Sequence, residues 1–220
     1  MQYKRLTLLC GHYGSGKTNI AVRMALDLAK LYPRVALADL DIVNPYFRSK
    51  DSAPLLEQNG IRLICSEFAN SNVDLPALPQ DIYTITDDRG IHAVMDIGGD
   101  ERGALALGRL APAITEENDY EMLMVINRFR PLTPDAESVA EVFSEIENTC
   151  RIPLTGLINN SNLGRETTPE LILSSAAFAE STAERTGLPV RCTAVSRELM
   201  PALEGKIPNL LPLDVNHYVL

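Results

Sequence analysis

The sequence predicts an α/β fold: a mainly parallel central sheet layered between helices on both faces. Three observations carry this expectation. Short apolar, β-branched runs recur along the chain, each nearly continuous in hydrophobicity, as strands covered on both faces require. Longer stretches with apolar residues at helical spacing fall between them, and strands that alternate with helices imply parallel pairing through right-handed crossovers. A glycine-studded turn joins the first apolar run to the first helical pattern, in "LTLLCGHYGSGKTNIAVRMALDLAK", residues 6 to 30.

Taken in order, the first strand is expected over residues 5–10 and the first helix over 18–31. Residues 35–39 read as the second strand, 52–58 as a helix and 61–65 as the third strand. The loosest stretch, "ANSNVDLPALPQD" at 69–81, reads as a surface loop. Strands at 93–97 and 122–126 bracket a helix at 103–110. In "PDAESVAEVFSEIENTC" the residues Val139, Val142, Phe143 and Ile146 recur at helical spacing and Asp135 suits a first turn, which predicts a helix over 135–150. A strand at 154–158 follows, then a helix at 169–185 that Gly187 and Pro189 stop. The seventh strand is 190–195, and the tail "IPNLLPLDVNHYVL" is a candidate edge strand.

At 220 residues, with 45% hydrophobic and 22% charged side chains, the chain has the size and core-forming capacity of one large domain, expected to span 1–220. A net charge of -9 weighs against generic nucleic-acid binding. No apolar run approaches the ~20 residues that span a bilayer, and the apolar run in "MQYKRLTLLC" is too short for a signal peptide. A cytoplasmic protein is expected. Cys10, Cys65, Cys150 and Cys192 are scattered, with no Cys-x-x-Cys pair and no His at metal spacing, so buried, reduced thiols are expected.

The turn Gly11-His12-Tyr13-Gly14-Ser15-Gly16-Lys17-Thr18 fits G-x-x-x-x-G-K-[ST] at every fixed position. A chance match in a chain this long arises roughly once in a hundred. Its context is the required one, after a strand and opening a helix. Gly11, Gly14 and Gly16 let the backbone curl so that successive N–H groups, Ser15's among them, face one anion. The helix's first turn, through Asn19, adds unpaired N–H groups and the positive end of its dipole. Lys17 would reach the β- and γ-phosphates and the Thr18 hydroxyl would ligate Mg²⁺.

Such a loop works with acidic residues. "VALADLDIVNPYFRS" places Asp39 and Asp41 at the carboxyl end of the second strand, and "IHAVMDIGGDERG" places Asp96 at the end of a later one, followed by Gly98 and Gly99. Ligands of open α/β sheets gather outside the carboxyl ends of strands. Asp41 and Asp96 are therefore metal and nucleophile candidates, with Asp39 orienting its neighbour or capping the strand.

The order of "GHYGSGKT", "DLD" and "DIGG" resembles the MinD/ParA-type P-loop ATPases, a group that includes the nitrogenase iron protein and related cofactor-maturation ATPases. The resemblance implies a three-layer fold with seven or eight mostly parallel strands, ATP and Mg²⁺ as ligands, and slow hydrolysis tied to a conformational switch. By position it implies that Asp41 orients or activates the attacking water and also serves the metal, that Asp96 serves magnesium, and that Gly99 senses the γ-phosphate. "VNPYFRSKD" and "GGDERG" would be the two switch loops. "LTGLINNSNLGRET" is similar to the iron protein's adenine-contacting strand end, which places Asn160 or Asn159 on the base, with Asn127 of "VINRFRP" a second candidate. An amide both donates to and accepts from adenine's edge. The absence of an [NT]-K-x-D guanine signature favours ATP over GTP.

The chain departs from that family in three places. His12 stands where the family carries a second lysine that crosses a dimer, so the nucleotide-sandwich homodimer lacks its usual cation; Arg102, Arg128 and Arg130 are candidate replacements. Cluster cysteines after Asp96 are missing, and the tail carries no basic amphipathic helix for a membrane. The expected partners are ATP or ADP and a protein, with a homodimer left open, and with neither membrane nor nucleic acid. Tyr46 and Phe47 are candidates to anchor that protein or to pack on the core. The leading reading is a switch ATPase, leaning toward assembly or maturation of a cofactor or metalloenzyme. The alternatives are a small-molecule kinase or ligase, and a nucleotide-binding regulator that hardly hydrolyses.

Overall fold

The computed structural model describes residues 2–40, 49–65, 79–98 and 107–214. Eight strands form one sheet: β1 (Leu6–Cys10), β2 (Val35–Leu40), β3 (Ile61–Cys65), β4 (His92–Ile97), β5 (Tyr120–Ile126), β6 (Gly156–Asn159), β7 (Val190–Ser196) and β8 (Leu210–Leu213). Their order is β3-β2-β4-β1-β5-β6-β7-β8, and every pairing is parallel. The seven expected strands are all present, and the tail adds the eighth at the edge, where Pro212 is tolerated.

Seven helices are described: α1 (Lys17–Ala29), α2 (Ser49–Gln58), α3 (Tyr83–Asp87), α4 (Ala111–Glu117), α5 (Ala136–Cys150), α6 (Pro169–Thr186) and α7 (Met200–Leu203). The expected helix at 103–110 falls mostly outside the described residues, which resume in a helical turn at Leu107. Sequence periodicity did not predict α3, α4 and α7, which at four to seven residues are too short to register it. Prolines at the starts of α4 and α7 were the available signal.

The alternation of strand side chains divides the core between two layers. Leu9, Leu37, Val94, Leu123, Val125 and Ile158 turn to one face and meet Ile20, Met24 and Leu28, spaced four apart along α1. Leu8, Cys10, Met95, Met122, Met124 and Leu157 turn to the other, beneath Ile85, Ile114, Val139 and Phe178 of α3 to α6. Both layers are buried, which explains the unbroken apolar runs of the central strands.

The helix termini follow their chemistry. Asp135 caps α5, its carboxylate accepting from the Ser138 N–H at 2.9 Å, so the helix begins one residue later than expected. Thr168 caps α6 with Pro169 behind it, and Gly187 closes it at φ +72°. At the amino end of the sheet Arg5 is enclosed, paired in two places with Glu117 and donating to the Ile85 and Ile91 carbonyls at 2.9 and 2.7 Å.

The chain passes from β1 out to β2 and β3, returns to β4 beside β1, then continues on β1's other side from β5. The carboxyl end of β1 is thus the topological switch point, where open α/β sheets hold ligands. No described helix is long and apolar enough to cross a membrane.

Candidate phosphate-binding site

The turn between β1 and α1 occupies that switch point. Its glycines are required by conformation: Gly11, Gly14 and Gly16 have φ of +131°, +78° and +91°, a region that other residues rarely enter. Two are also needed for close approach. A Cβ on Gly11 would lie 2.5 Å from the Val125 carbonyl oxygen of β5, and one on Gly16 would overlap the Asn160 amide nitrogen.

Lys17 is buried and curls back over the loop, its ammonium donating to the Gly11 and His12 carbonyls at 2.8 and 3.2 Å. A lysine has three N–H donors, so two hold the ammonium inside the turn and a third is left. Ser15 is 2% exposed and its hydroxyl has no hydrogen-bond partner among the described residues. A buried hydroxyl in that condition fits a loop built around a polar ligand. The start of α1 has neither a side-chain cap nor an acidic residue in its first turn, unlike α5 and α6. Its unpaired N–H groups and dipole are left for an anion.

The acidic side of the site comes from register. Asp39 and Asp96 are neighbours across the β2–β4 pairing, and Asp96 is level with Leu9 of β1. Alternation turns all three toward the α1 layer. The first turn of α1 descends on the same place, and the Thr18 hydroxyl donates to the Asp96 carboxylate at 2.7 Å. Asp96 and Asp39 are 2% and 5% exposed. A hydroxyl and a carboxylate so joined, beside an anion cradle, form a donor set for a hard cation that retains phosphate and water ligands. No group of three or more His, Cys, Asp or Glu side chains gathers at a metal-binding spacing among the described residues.

The three candidate asparagines flank the loop on the β5–β6 side. Asn160 donates to the Ser15 carbonyl at 2.6 Å, across 145 residues of sequence. Asn159 is fully enclosed, donating to Ser175 of α6 at 2.9 Å and accepting from the Ser161 hydroxyl at 2.7 Å. Asn127, also enclosed, accepts from the Phe129 N–H at 3.0 Å and donates to the Asn162 carbonyl at 3.4 Å. Asn19 is exposed on the first turn of α1. Ser161, Ser175 and Thr133 brace these asparagines, and nothing in the sequence marks them, because a small hydroxyl residue carries no signal of its partner.

Asp41 and Gly99 lie outside the described residues, as do Pro45, Tyr46, Phe47 and Arg102. Cys10, immediately before the loop, is buried, and burial followed by the nearby Cys150 raises its thiol far above the usual range, against the pull of Lys17. It stays a neutral core residue. Cys10, Cys150 and Cys192 are buried free thiols, as expected, whereas Cys65 is of intermediate exposure.

No protein-family model matches the chain, and no curated protein matches it in sequence. Solved structures do match in fold. The cell division protein FtsY of Thermotoga maritima aligns with a TM-score of 0.60 at 18% identity, over 87% of this chain and 61% of that one. The signal recognition particle receptor FtsY of Elizabethkingia anophelis, in complex with GDP, gives 0.57 at 14% identity, over 89% and 58%. The signal recognition particle 54 kDa protein of Aeropyrum pernix K1, also in complex with GDP, gives 0.53 at 20% identity, over 86% and 41%. The chain thus spans between two fifths and three fifths of these proteins' length. At such identities the likeness is one of fold, and that fold is the α/β fold of P-loop nucleoside triphosphatases.

Proposed function

We propose that the chain is an ATP-binding, magnesium-dependent switch that hydrolyses ATP slowly and acts on a protein partner. The observation that carries this reading is the Thr18–Asp96 hydrogen bond beside the glycine turn and Lys17. It joins the metal-ligating hydroxyl expected of a phosphate loop to a carboxylate that register places beside it. Thr18 and Asp96, with Asp41, would hold the metal, which would supply positive charge against the phosphates. Lys17 and the N–H groups of Gly14 and of Gly16 to Asn19 offset the phosphate charge in a site where catalysis is mainly positioning and electrostatics, while the Ser15 N–H is held by the His12 carbonyl at 3.2 Å. Asp41 orients the attacking water, and Gly99 reports on the γ-phosphate.

The narrower likeness to MinD/ParA-type ATPases rests on "GHYGSGKT", "DLD" and "DIGG". The adenine is assigned to the Asn159–Asn160 end of β6, with Asn127 the second candidate; all three amides are bonded inside the protein, and Asn160 is favoured because its partner is the phosphate loop itself. The net charge of -9 favours a protein partner over DNA, in line with a role in assembling or maturing a cofactor or metalloenzyme. A guanine nucleotide is the second reading, favoured by the GDP in two fold neighbours and opposed by the lack of an [NT]-K-x-D motif.

Phosphate release from ATP and from GTP, each with magnesium, tests the proposal. Slow release from ATP in preference to GTP is expected, with Asp41→Ala retaining ATP binding and losing hydrolysis. Preference for GTP would overturn the base assignment, and unchanged hydrolysis in Asp41→Ala would remove Asp41 from the mechanism.

A further inference from the structure

The family resemblance places a lysine where this chain has His12, and a neutral imidazole supplies no permanent positive charge. A different cation stands over the same turn. Arg130, from the loop after β5, has its Nε, Cδ and Cζ 3.6, 3.8 and 3.8 Å from the position of a Cβ on Gly14. That is ordinary contact distance, so the arginine lies directly on the glycine turn.

The loop that presents it is braced. The Asn127 carbonyl accepts from the Arg130 N–H at 3.1 Å and from the Thr133 hydroxyl at 2.8 Å, while the Arg130 carbonyl accepts from the Thr133 N–H at 3.1 Å. The Arg128 N–H ties the loop to the Ser161 hydroxyl at 3.1 Å. The two arginines of "NRFRP" then part company. Arg128 donates to the Ser174 carbonyl at 3.1 Å and stands 5.7 and 6.0 Å from the Phe129 and Phe178 rings. The Arg130 guanidinium is exposed and makes no ion pair or hydrogen bond with a described residue. Arg130 is thus fixed at its root by the loop and exposed at its tip beside the glycine turn.

We propose that Arg130 replaces the family's lysine from within the same chain, contacting the terminal phosphates of the nucleotide held by Gly11 to Thr18. This rests on the phosphate-loop reading above. A guanidinium is planar, always charged, and matches two phosphate oxygens at once, so it does the work of an ammonium with more directional control. Because the cation is supplied in cis, one chain completes its own phosphate site, and ATP affinity does not depend on protein concentration. Because it reaches the end of the phosphate chain, it favours triphosphate over diphosphate and leaves the monophosphate unaffected.

Equilibrium binding of ATP, ADP and AMP with magnesium, on wild type and on Arg130→Ala, Arg130→Gln and Arg130→Lys, tests this, with thermal unfolding confirming the fold of each variant. The Ala and Gln variants are expected to lose about tenfold or more in ATP affinity, the scale of a charge-assisted hydrogen bond, with a smaller loss for ADP, none for AMP, and partial recovery in Arg130→Lys. ATP affinity unchanged in Arg130→Ala and Arg130→Gln, with the wild type binding ATP, would overturn the role of Arg130 alone. Equal losses for ATP and AMP would also overturn it, by showing that Arg130 only braces the loop. If the wild type bound no triphosphate, the phosphate-loop reading would fail and this inference with it.

Discussion

Alanine at Gly14, Gly16 and Gly11 forms a graded series whose order follows from what each new methyl group meets. All three positions have positive φ, so each substitution carries a backbone cost of about 1–2 kcal/mol. At Gly14 the methyl meets only the Arg130 side chain at ordinary contact distance, and the backbone cost is the whole effect. At Gly16 it displaces the Asn160 amide and strips the Ser15 carbonyl of its donor; an unsatisfied buried group adds about 1–3 kcal/mol. At Gly11 it meets the Val125 carbonyl oxygen at 2.5 Å and the Val125 nitrogen at 3.3 Å, both main-chain atoms of a central strand that no rotamer change can move. Strain and overpacking together then reach about 3–5 kcal/mol. Urea denaturation, compared at constant m, reads the series directly. Gly14→Ala is expected to be the mildest and Gly11→Ala to be at least as severe as Gly16→Ala. A Gly11→Ala protein as stable as wild type, or a Gly14→Ala protein as damaged as Gly11→Ala, would refute the geometry assigned to the loop.

Three further outcomes are expected. Glu117→Ala leaves the Arg5 charge buried without its carboxylate and should cost about 3–5 kcal/mol in the same denaturation assay; a change near zero would show that the Ile85 and Ile91 carbonyls suffice. A thiol reagent near neutral pH should react slowly with Cys10, Cys150 and Cys192, because all three are buried and desolvation raises each thiol, Cys192 to about 12; rapid reaction of any of the three in the native state would contradict this. His92 stacks on Tyr32 with ring centroids 3.5 Å apart, and burial, then Arg5, lowers its pKa. The unfolded chain therefore takes up that proton first, so stability is present above the ordinary histidine range and declines as pH falls through about 6.5. His92→Phe should flatten the urea midpoint between about pH 7 and about pH 5, and an unaltered slope would assign it to other groups.

The sheet was legible because its strands are buried on both faces, so β1, β2, β4 and β5 read as unbroken apolar runs. β6 begins two residues later than its apolar pattern predicts. Leu154 and Thr155 continue the apolar pattern, yet the ladder begins at Gly156, and Thr155 instead exchanges hydrogen bonds with Met122. Thr18 and Asp96 were legible because the motif fixes one and a strand-ending Asp marks the other. Their junction depends on β4 lying beside β1, which strand order alone decides. Contacts made across long separations left no trace in the sequence. Nothing local to "LINNSN" indicates that Asn160 reaches Ser15, and nothing in "NRFRP" tells Arg128, turned to Ser174 and two phenylalanine rings, from Arg130, laid on Gly14.

The central claim is that the turn from Gly11 to Thr18 holds a triphosphate together with magnesium shared by Thr18 and Asp96. Calorimetric titration of the wild type and Thr18→Ala with ATP, with magnesium and with a chelator in its place, tests it most directly. The account predicts one ATP bound per chain, tightened by magnesium in the wild type and with that tightening lost in Thr18→Ala. Absence of binding to the wild type, or equal magnesium dependence in both proteins, would contradict it.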